Sequence, residues 1–470
     1  MTRIAVLGGG PAGVGAAYAL ARRGLDVTLV EQRETVGGNS GSFELEGLRA
    51  DYGSHRLHPA SDPEVLALIR ERLGAELLTR PRHGRIRLLG RWIHFPLRAG
   101  DLALRTPPRF GAGVALDLAA KLVPSAAQAG EESFASVLRR GLGRTICEEF
   151  YFPYARKVWG LAPEEMSPIQ ARRRVSSGSI GKMLKRLLPG AGSGGASTKG
   201  VFYYPRGGFG QISEALAAGA LERGARLMLG TSVTKLRLGA SQHQVELEGP
   251  DGKCGIGADY VWSTLPIPLL ARACEPAAPA DVITAARALR FRAMLLVYLV
   301  LDADRFSEYD AHYFPGAELR ITRLSEPKNY AALAEPRGTT LLCAELPCQT
   351  DDAVWSMGEA ELGALVQEDL ARSGIPVRAN VRRVAVRRLS HAYPLYPIGY
   401  ERHFAALDAW AEQLPRVLSF GRQGLFAHDN THHALYMALC ASKCLRDDGS
   451  WNEAQWREHR RVFETHVVED

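Results

Sequence analysis

The chain has 470 residues, 46% of them hydrophobic and 23% charged, with 58 Lys and Arg against 51 Asp and Glu for a net charge of +7. That length implies two or three domains, and the composition excludes a disordered or collagen-like chain. No apolar run reaches the roughly 18 residues that a spanning helix needs, so no membrane span is expected.

The basic residues are dispersed and are not interleaved with aromatics, so nucleic acid is not an expected partner and a small anionic ligand is. The seven cysteines are odd in number and lack zinc-type spacing. They are read as reduced, buried, small apolar residues, and no metal site is expected. Met1-Thr2-Arg3 runs directly into an apolar strand that cannot also be a signal peptide, so a cytoplasmic location is expected.

In chain order, residues 3–39 carry the clearest signal. An apolar strand, Ile4 to Leu7, leads into Gly8-Gly9-Gly10-Pro11-Ala12-Gly13 and a short helix to Gly24. A second strand then ends at Glu31, 23 residues after Gly8. Gly8 permits the turn, Gly10 admits a pyrophosphate, and Gly13 lets helix and strand approach. The helix N-terminus attracts phosphate, and the Glu31 carboxylate can accept from ribose hydroxyls. This predicts a dinucleotide-binding βαβ unit.

Beyond it, Tyr52-Gly-Ser-His55-Arg-Leu-His58 sets two histidines in a glycine turn. An amphipathic helix is predicted over 62–76, and a hairpin centred on Gly90 over 84–97. Residues 100–188 are mostly helical in pattern. Within them Phe150-Tyr-Phe-Pro-Tyr154-Ala-Arg-Lys-Val-Trp159 reads equally as core or as site, and Arg172-Arg173-Arg174 as a solvated face. Residues 189–200 are low-complexity, read as a surface loop or a lid. A helix follows over 211–223, then strands around 226–262. Strands of a second sheet are predicted at 291–301, 318–324, 339–346 and 381–390, a helix at 359–373, and a last helix starting near Asn430.

The expected fold is α/β. A discontinuous Rossmann-like cofactor domain (1–80, 201–266 and 415–446) carries an inserted helical domain (98–200, with a flexible lid at 175–200). An antiparallel-sheet substrate domain (81–97 and 267–414) and a C-terminal tail (447–470) complete it.

Several motifs carry a resemblance. Glu31-Gln32-Arg33 followed by Gly37-Gly38-Asn39 resembles the extended fingerprint of FAD proteins. Val233 resembles the strand residue whose backbone meets the adenine in such proteins, and Asp259 to Pro266 resembles their strand and turn returning to the cofactor. Seven motifs in order are similar to the UDP-galactopyranose mutases, within the wider flavin amine-oxidase and protoporphyrinogen-oxidase-like group. They are Gly37-Gly38-Asn39, Tyr52 to His58, Tyr154 to Gly160, Arg172 to Arg174, Thr322 to Tyr330, Tyr393 to Pro397 and Gly421-Arg422.

The resemblance implies FAD held by Gly8, Gly10, Pro11, Ala12, Gly13, Glu31, Gln32, Gly38, Asn39, His55, Val233 and Arg422. It sets His55 beside the reactive flavin nitrogen, and Tyr154 on a nucleobase with Trp159 nearby. Arg174 and Arg323 hold the pyrophosphate and Tyr396 adds a hydroxyl contact, with Arg173 a further substrate-binding candidate. Two anchoring positions, Tyr and Asp in the mutases, are here His428 and Asn430, so the substrate can differ from UDP-galactose. The implied reaction interconverts the pyranose and furanose forms of a nucleoside-diphosphate hexose through an adduct at the nitrogen of reduced FAD. His55, Arg174 and Arg323 are its catalytic candidates. The competing expectations are an FAD-dependent oxidase or dehydrogenase on the same fold, and a flavin-bound scaffold or sensor. The expected partner is a nucleotide-sugar substrate, and assembly as a homodimer is left open.

Overall fold

The computed structural model describes residues 2–96, 101, 104–121, 131–174 and 200–468. The expected lid lies almost wholly outside them, as does the side chain of Arg174, the last residue of a described helix.

A five-stranded parallel sheet stands at the centre. Its order across the sheet is 417–419, 260–263, 3–7, 26–30, 226–228. Four separate stretches of chain therefore build one layer. Strand Arg3–Leu7 is buried except for Arg3, as a central parallel strand must be. Helix Pro11–Ala21 is almost wholly buried because helices Gln211–Leu221 and Thr431–Cys444 flank it. A Cβ on Gly15 would lie 2.8 Å from Leu435, so a glycine there lets the last helix close in.

A seven-stranded sheet forms the second layer, in the order 381–394, 291–301, 340–348, 323–325, 311–313, 84–88, 91–95. All its pairings are antiparallel except that of 311–313 with 84–88, which is parallel. The expected strand at 318–324 is reduced to Arg323–Ser325, and Ala311–Tyr313 is a strand that the pattern did not reveal. The cause is Asp369, whose Oδ2 accepts the N–H groups of Arg320 at 2.6 Å and Ile321 at 3.0 Å in place of a ladder.

The helical segment packs Phe134, Leu138 and Trp159 on the hairpin residues Ile86, Leu88 and Ile93. Helix Phe152–Trp159 follows a π-helical turn, Cys147–Tyr151, and ends at Gly160 in the left-handed region (φ 68°). Its carbonyls at Lys157 and Val158 accept from Arg292 of strand Phe291–Leu301. Lys157 Nζ donates to the carbonyls of Phe314 (2.6 Å) and Ile321 (2.9 Å). These bonds fix the Trp159 helix to the second sheet. The C-terminal segment forms helix Glu453–Glu464, whose Trp456 and Phe463 enter the main core. Six of the seven thiols are buried. Cys254 is not, because it lies on the exposed edge strand Gly252–Ala258. Among the described residues no helix is long and apolar enough to cross a membrane.

Candidate active site

The glycine turn has the geometry of a phosphate cradle. Gly8 sits at φ 100°. A Cβ on Gly13 would lie 1.8 Å from the Gly8 carbonyl oxygen, whereas one on Gly10 would meet no protein atom within 4 Å. Gly13 is thus demanded by the fold, and Gly10 leaves open space. No side chain caps the helix that starts at Pro11, and no acid sits in its first turn, so the dipole end is open to an anion. Glu31 is buried and accepts from the Gly9 N–H (2.5 Å) and the Arg33 N–H (2.9 Å), fixing its carboxylate beside the turn. The second glycine pair folds back on the first, since a Cβ on Gly38 would be 3.2 Å from Gly10 Cα. Ala12 touches the Gly421 turn, where a Cβ would come within 2.7 Å of it. Gln32 is exposed, and Val233 is half-buried on strand Ser232–Arg237.

Three side chains of this domain converge on one end of strand Val381–Pro394. Asn39 Nδ2 and Gln423 Nε2 each donate to the His391 carbonyl at 2.9 Å, and Arg422 donates to the Ala392 carbonyl at 2.8 Å. His55 stands nearby. Its Nε2 faces the carbonyls of Asn39 (3.0 Å) and Tyr52 (2.9 Å), so that nitrogen carries the hydrogen and Nδ1 is left as an acceptor. Burial pushes the imidazole pKa down against the pull of Asp51, and the ring is neutral at pH 7. Asp51 carries no motif that marks it as a site residue. It is buried and accepts from Ser42 and Tyr204 (2.6 Å each) and the Phe209 N–H (2.9 Å).

From Arg422 the contacts run on into an aromatic cluster. Its guanidinium lies 5.1 Å from the Tyr393 ring, and Tyr393 meets Trp159 at 5.3 Å. Trp159 packs edge-on to His428 at 4.8 Å, as does Tyr396 at 4.7 Å. Arg173 Nη1 donates to the Tyr396 hydroxyl at 3.4 Å, and that hydroxyl donates to the Phe426 carbonyl at 2.6 Å. Burial opposes the charge on Arg173, but Tyr396 and Asp429 outweigh it and raise its pKa. Arg172 instead points outward and pairs with Glu132. Tyr154 stacks on Phe150 at 6.3 Å. Asn430 caps helix Thr431–Cys444, its backbone N–H donating to His433 Nδ1 at 3.2 Å.

Arg323 brings a partner that the motifs did not reveal. Its Nε and Nη2 grip the Glu345 carboxylate at 3.0 and 2.9 Å, and Glu345 Oε1 also accepts the Ser54 N–H at 2.7 Å. Glu345 therefore ties the His55 loop to Arg323. Burial disfavours the Arg323 charge, yet Glu345 and the ring hydroxyls of Tyr313, Tyr393 and Tyr154 hold its pKa well up. The sequence did carry a signal for Glu345: it is the one acid in strand Thr340–Cys348, which is buried throughout.

A family model described as flavin containing amine oxidoreductase matches residues 11–436. The chain belongs to this family. A Mycobacterium tuberculosis protein named as a flavin-containing monoamine oxidase, AofH, is 29% identical over 252 residues, which is 50% of this chain and 51% of that one. Putrescine oxidase of Kocuria rosea is 38% identical over 81 residues, covering 17% of this chain and 16% of its own. The chain spans about half the length, or less, of these curated relatives. Among solved structures, reduced UDP-galactopyranose mutase superposes with a TM-score of 0.80 at 19% identity, covering 100% of both chains. Putrescine oxidase bound to putrescine gives 0.64 at 18% identity, over 94% of this chain and 98% of that one. These structural likenesses speak for the fold. The family is flavin-containing, and the Gly10 cradle leaves open space beside the N-terminus of helix Pro11–Ala21.

Proposed function

We propose that this flavoprotein binds FAD and acts in the cytoplasm as a sugar-nucleotide mutase, interconverting pyranose and furanose forms of a nucleoside-diphosphate hexose. The observation that carries the reading is the unbroken chain of contacts from Arg422 through Tyr393, Trp159, His428 and Tyr396 to Arg173, with Arg323 close by. Guanidinium forks suit a diphosphate, and aromatic faces suit a base and a sugar. The full-length likeness to reduced UDP-galactopyranose mutase supports the same reading. Bound in its reduced form, FAD would supply the nucleophilic nitrogen that ring exchange requires.

The protein's part is to place and neutralise. Arg173 and Arg323 stabilise the charge that grows on a departing diphosphate. Glu345 holds the Arg323 fork in one orientation. His55, neutral and anchored through Nε2, offers Nδ1 as a fixed acceptor. A second reading, an amine oxidoreductase, is favoured by the named relatives. Against it, a protonated amine would have to enter beside Arg173, Arg323 and Arg422.

A thermal-shift screen of UDP-, GDP- and TDP-hexoses and of amines against reduced and oxidised protein separates the two readings. A tight ligand stabilises the native state by about 2.7 kcal/mol at a hundredfold excess over its Kd. Stabilisation of the reduced protein by a nucleotide sugar supports the mutase. Stabilisation and flavin bleaching by an amine alone refutes it.

A further inference from the structure

One group of ligand-type side chains stands behind Arg173, whose charge Asp429 supports. Asp429 follows His428 and is 2% exposed. Its carboxylate faces imidazoles from two separate parts of the chain. His433 Nδ1 lies 3.7 Å from Oδ1, and His466 Nδ1 lies 3.3 Å from Oδ2. The two rings stack at 4.2 Å and 14°. The three potential ligand atoms all lie within 4.8 Å of one another.

We propose that Asp429, His433 and His466 form a binding site for a divalent transition metal, zinc first among them. Two imidazoles and one carboxylate are a donor set that zinc accepts, with a water in the fourth place. At metal–ligand bonds of about 2.0–2.2 Å, neighbouring donors of a tetrahedral site stand about 3.3–3.6 Å apart. The two carboxylate–imidazole spacings already fall near that range. A carboxylate needs only one imidazole to be well paired. Here two flank it from separate parts of the chain, and the stacked rings need only turn about their side-chain bonds for both lone pairs to meet one ion. The binding costs one weak bond, since His433 Nδ1 also accepts the Asn430 N–H at 3.2 Å.

The site has a structural consequence. His466 belongs to the C-terminal segment, and two residues on, the Val468 N–H donates to the Arg173 carbonyl at 2.9 Å. An ion held here staples the C-terminal segment to the start of helix Thr431–Cys444 and steadies the backbone beneath Arg173.

The test uses the full-length flavin-loaded protein, dialysed against chelator and titrated with Zn²⁺ alone by equilibrium dialysis, then with Co²⁺ as an optical reporter. The expected result is one saturable metal per chain, with the visible bands of four-coordinate Co²⁺. Asp429→Asn and His466→Ala should each weaken binding by about 100-fold, while His403→Ala on another helix leaves it unchanged. Metal binding without saturation, or unchanged in His466→Ala, overturns the proposal. Should a variant fail to fold, zinc-edge anomalous scattering from crystals of the unaltered protein decides. A peak between the three residues supports the site, and zinc bound elsewhere or not at all refutes it.

Discussion

Arg323 and Glu345 show how a buried ion pair shapes a site. The pair is almost fully enclosed, with side-chain exposures of 17% and 5%. Removing the arginine strands a carboxylate, which costs about 3–5 kcal/mol. Arg323→Ala should therefore lower stability by about that much in urea unfolding and slow turnover by about 10²–10³-fold. Arg323→Leu combined with Glu345→Leu should regain most of the stability and none of the turnover. If the double variant is as active as the wild type, Arg323 has no place in the chemistry. His312 supplies a second prediction at this scale. It is 2% exposed, and burial, helped by Arg85, pushes its pKa down to about 3. The unfolded chain binds this proton near pH 6.5 and the folded chain does not. Stability is thus fully present above pH 6.5 and is lost as pH falls from there towards 3, by about 1.4 kcal/mol per pH unit. His312→Phe should flatten the slope of unfolding free energy between pH 6 and pH 5 by about that amount. An unchanged slope would show that the histidine is protonated in the fold. Glu345 is marked in the sequence only as a lone acid in an apolar strand, and His312 not at all, because burial of a polar group depends on strands brought in from elsewhere.

At the scale of elements, the strand–turn–helix at 3–21 was legible because its demands are local. Each glycine answers to an atom a few residues away or to a ligand. Gly10→Ala adds a methyl where no protein atom stands within 4 Å, at φ −69°. It should leave the stability of flavin-free protein within about 0.5 kcal/mol of wild type and weaken flavin retention at least about tenfold. Gly13→Ala drives a methyl to 1.8 Å from the Gly8 carbonyl oxygen. It should destabilise the apoprotein itself, by about 1–3 kcal/mol or more. Flavin absorbance after gel filtration and apoprotein melting separate the two, and equal apoprotein losses would contradict the division of labour. The 318–324 segment departs from its strand-like pattern for the opposite reason. Its N–H groups are taken by Asp369, far along the chain, and no local pattern announces that. The three-residue strand Ala311–Tyr313 exists because Arg323–Ser325 and the hairpin at 84–95 lie on either side of it.

Across the whole molecule, the cofactor sheet closes only when strands from residues 3–30, 226–228, 260–263 and 417–419 come together. That assembly carries the Gly421-Arg422 turn to the cradle at Ala12, and the strand end at His391–Ala392 to Asn39, Gln423 and Arg422. The glycine cradle and the guanidinium–aromatic cluster thus share one strand end. The sequence named most members of that cluster, but only the folded chain shows that Arg173, Tyr396, His428 and Trp159 touch in series while Arg172 turns away. The most direct measurement is NMR of dithionite-reduced protein incubated anaerobically with UDP-, GDP- and TDP-hexoses. A furanose signal from one of them should grow to equilibrium without stoichiometric consumption of electrons, and should vanish in Arg173→Ala. No isomerisation of any nucleotide sugar, together with anaerobic bleaching of the oxidised flavin by an amine, would contradict the account.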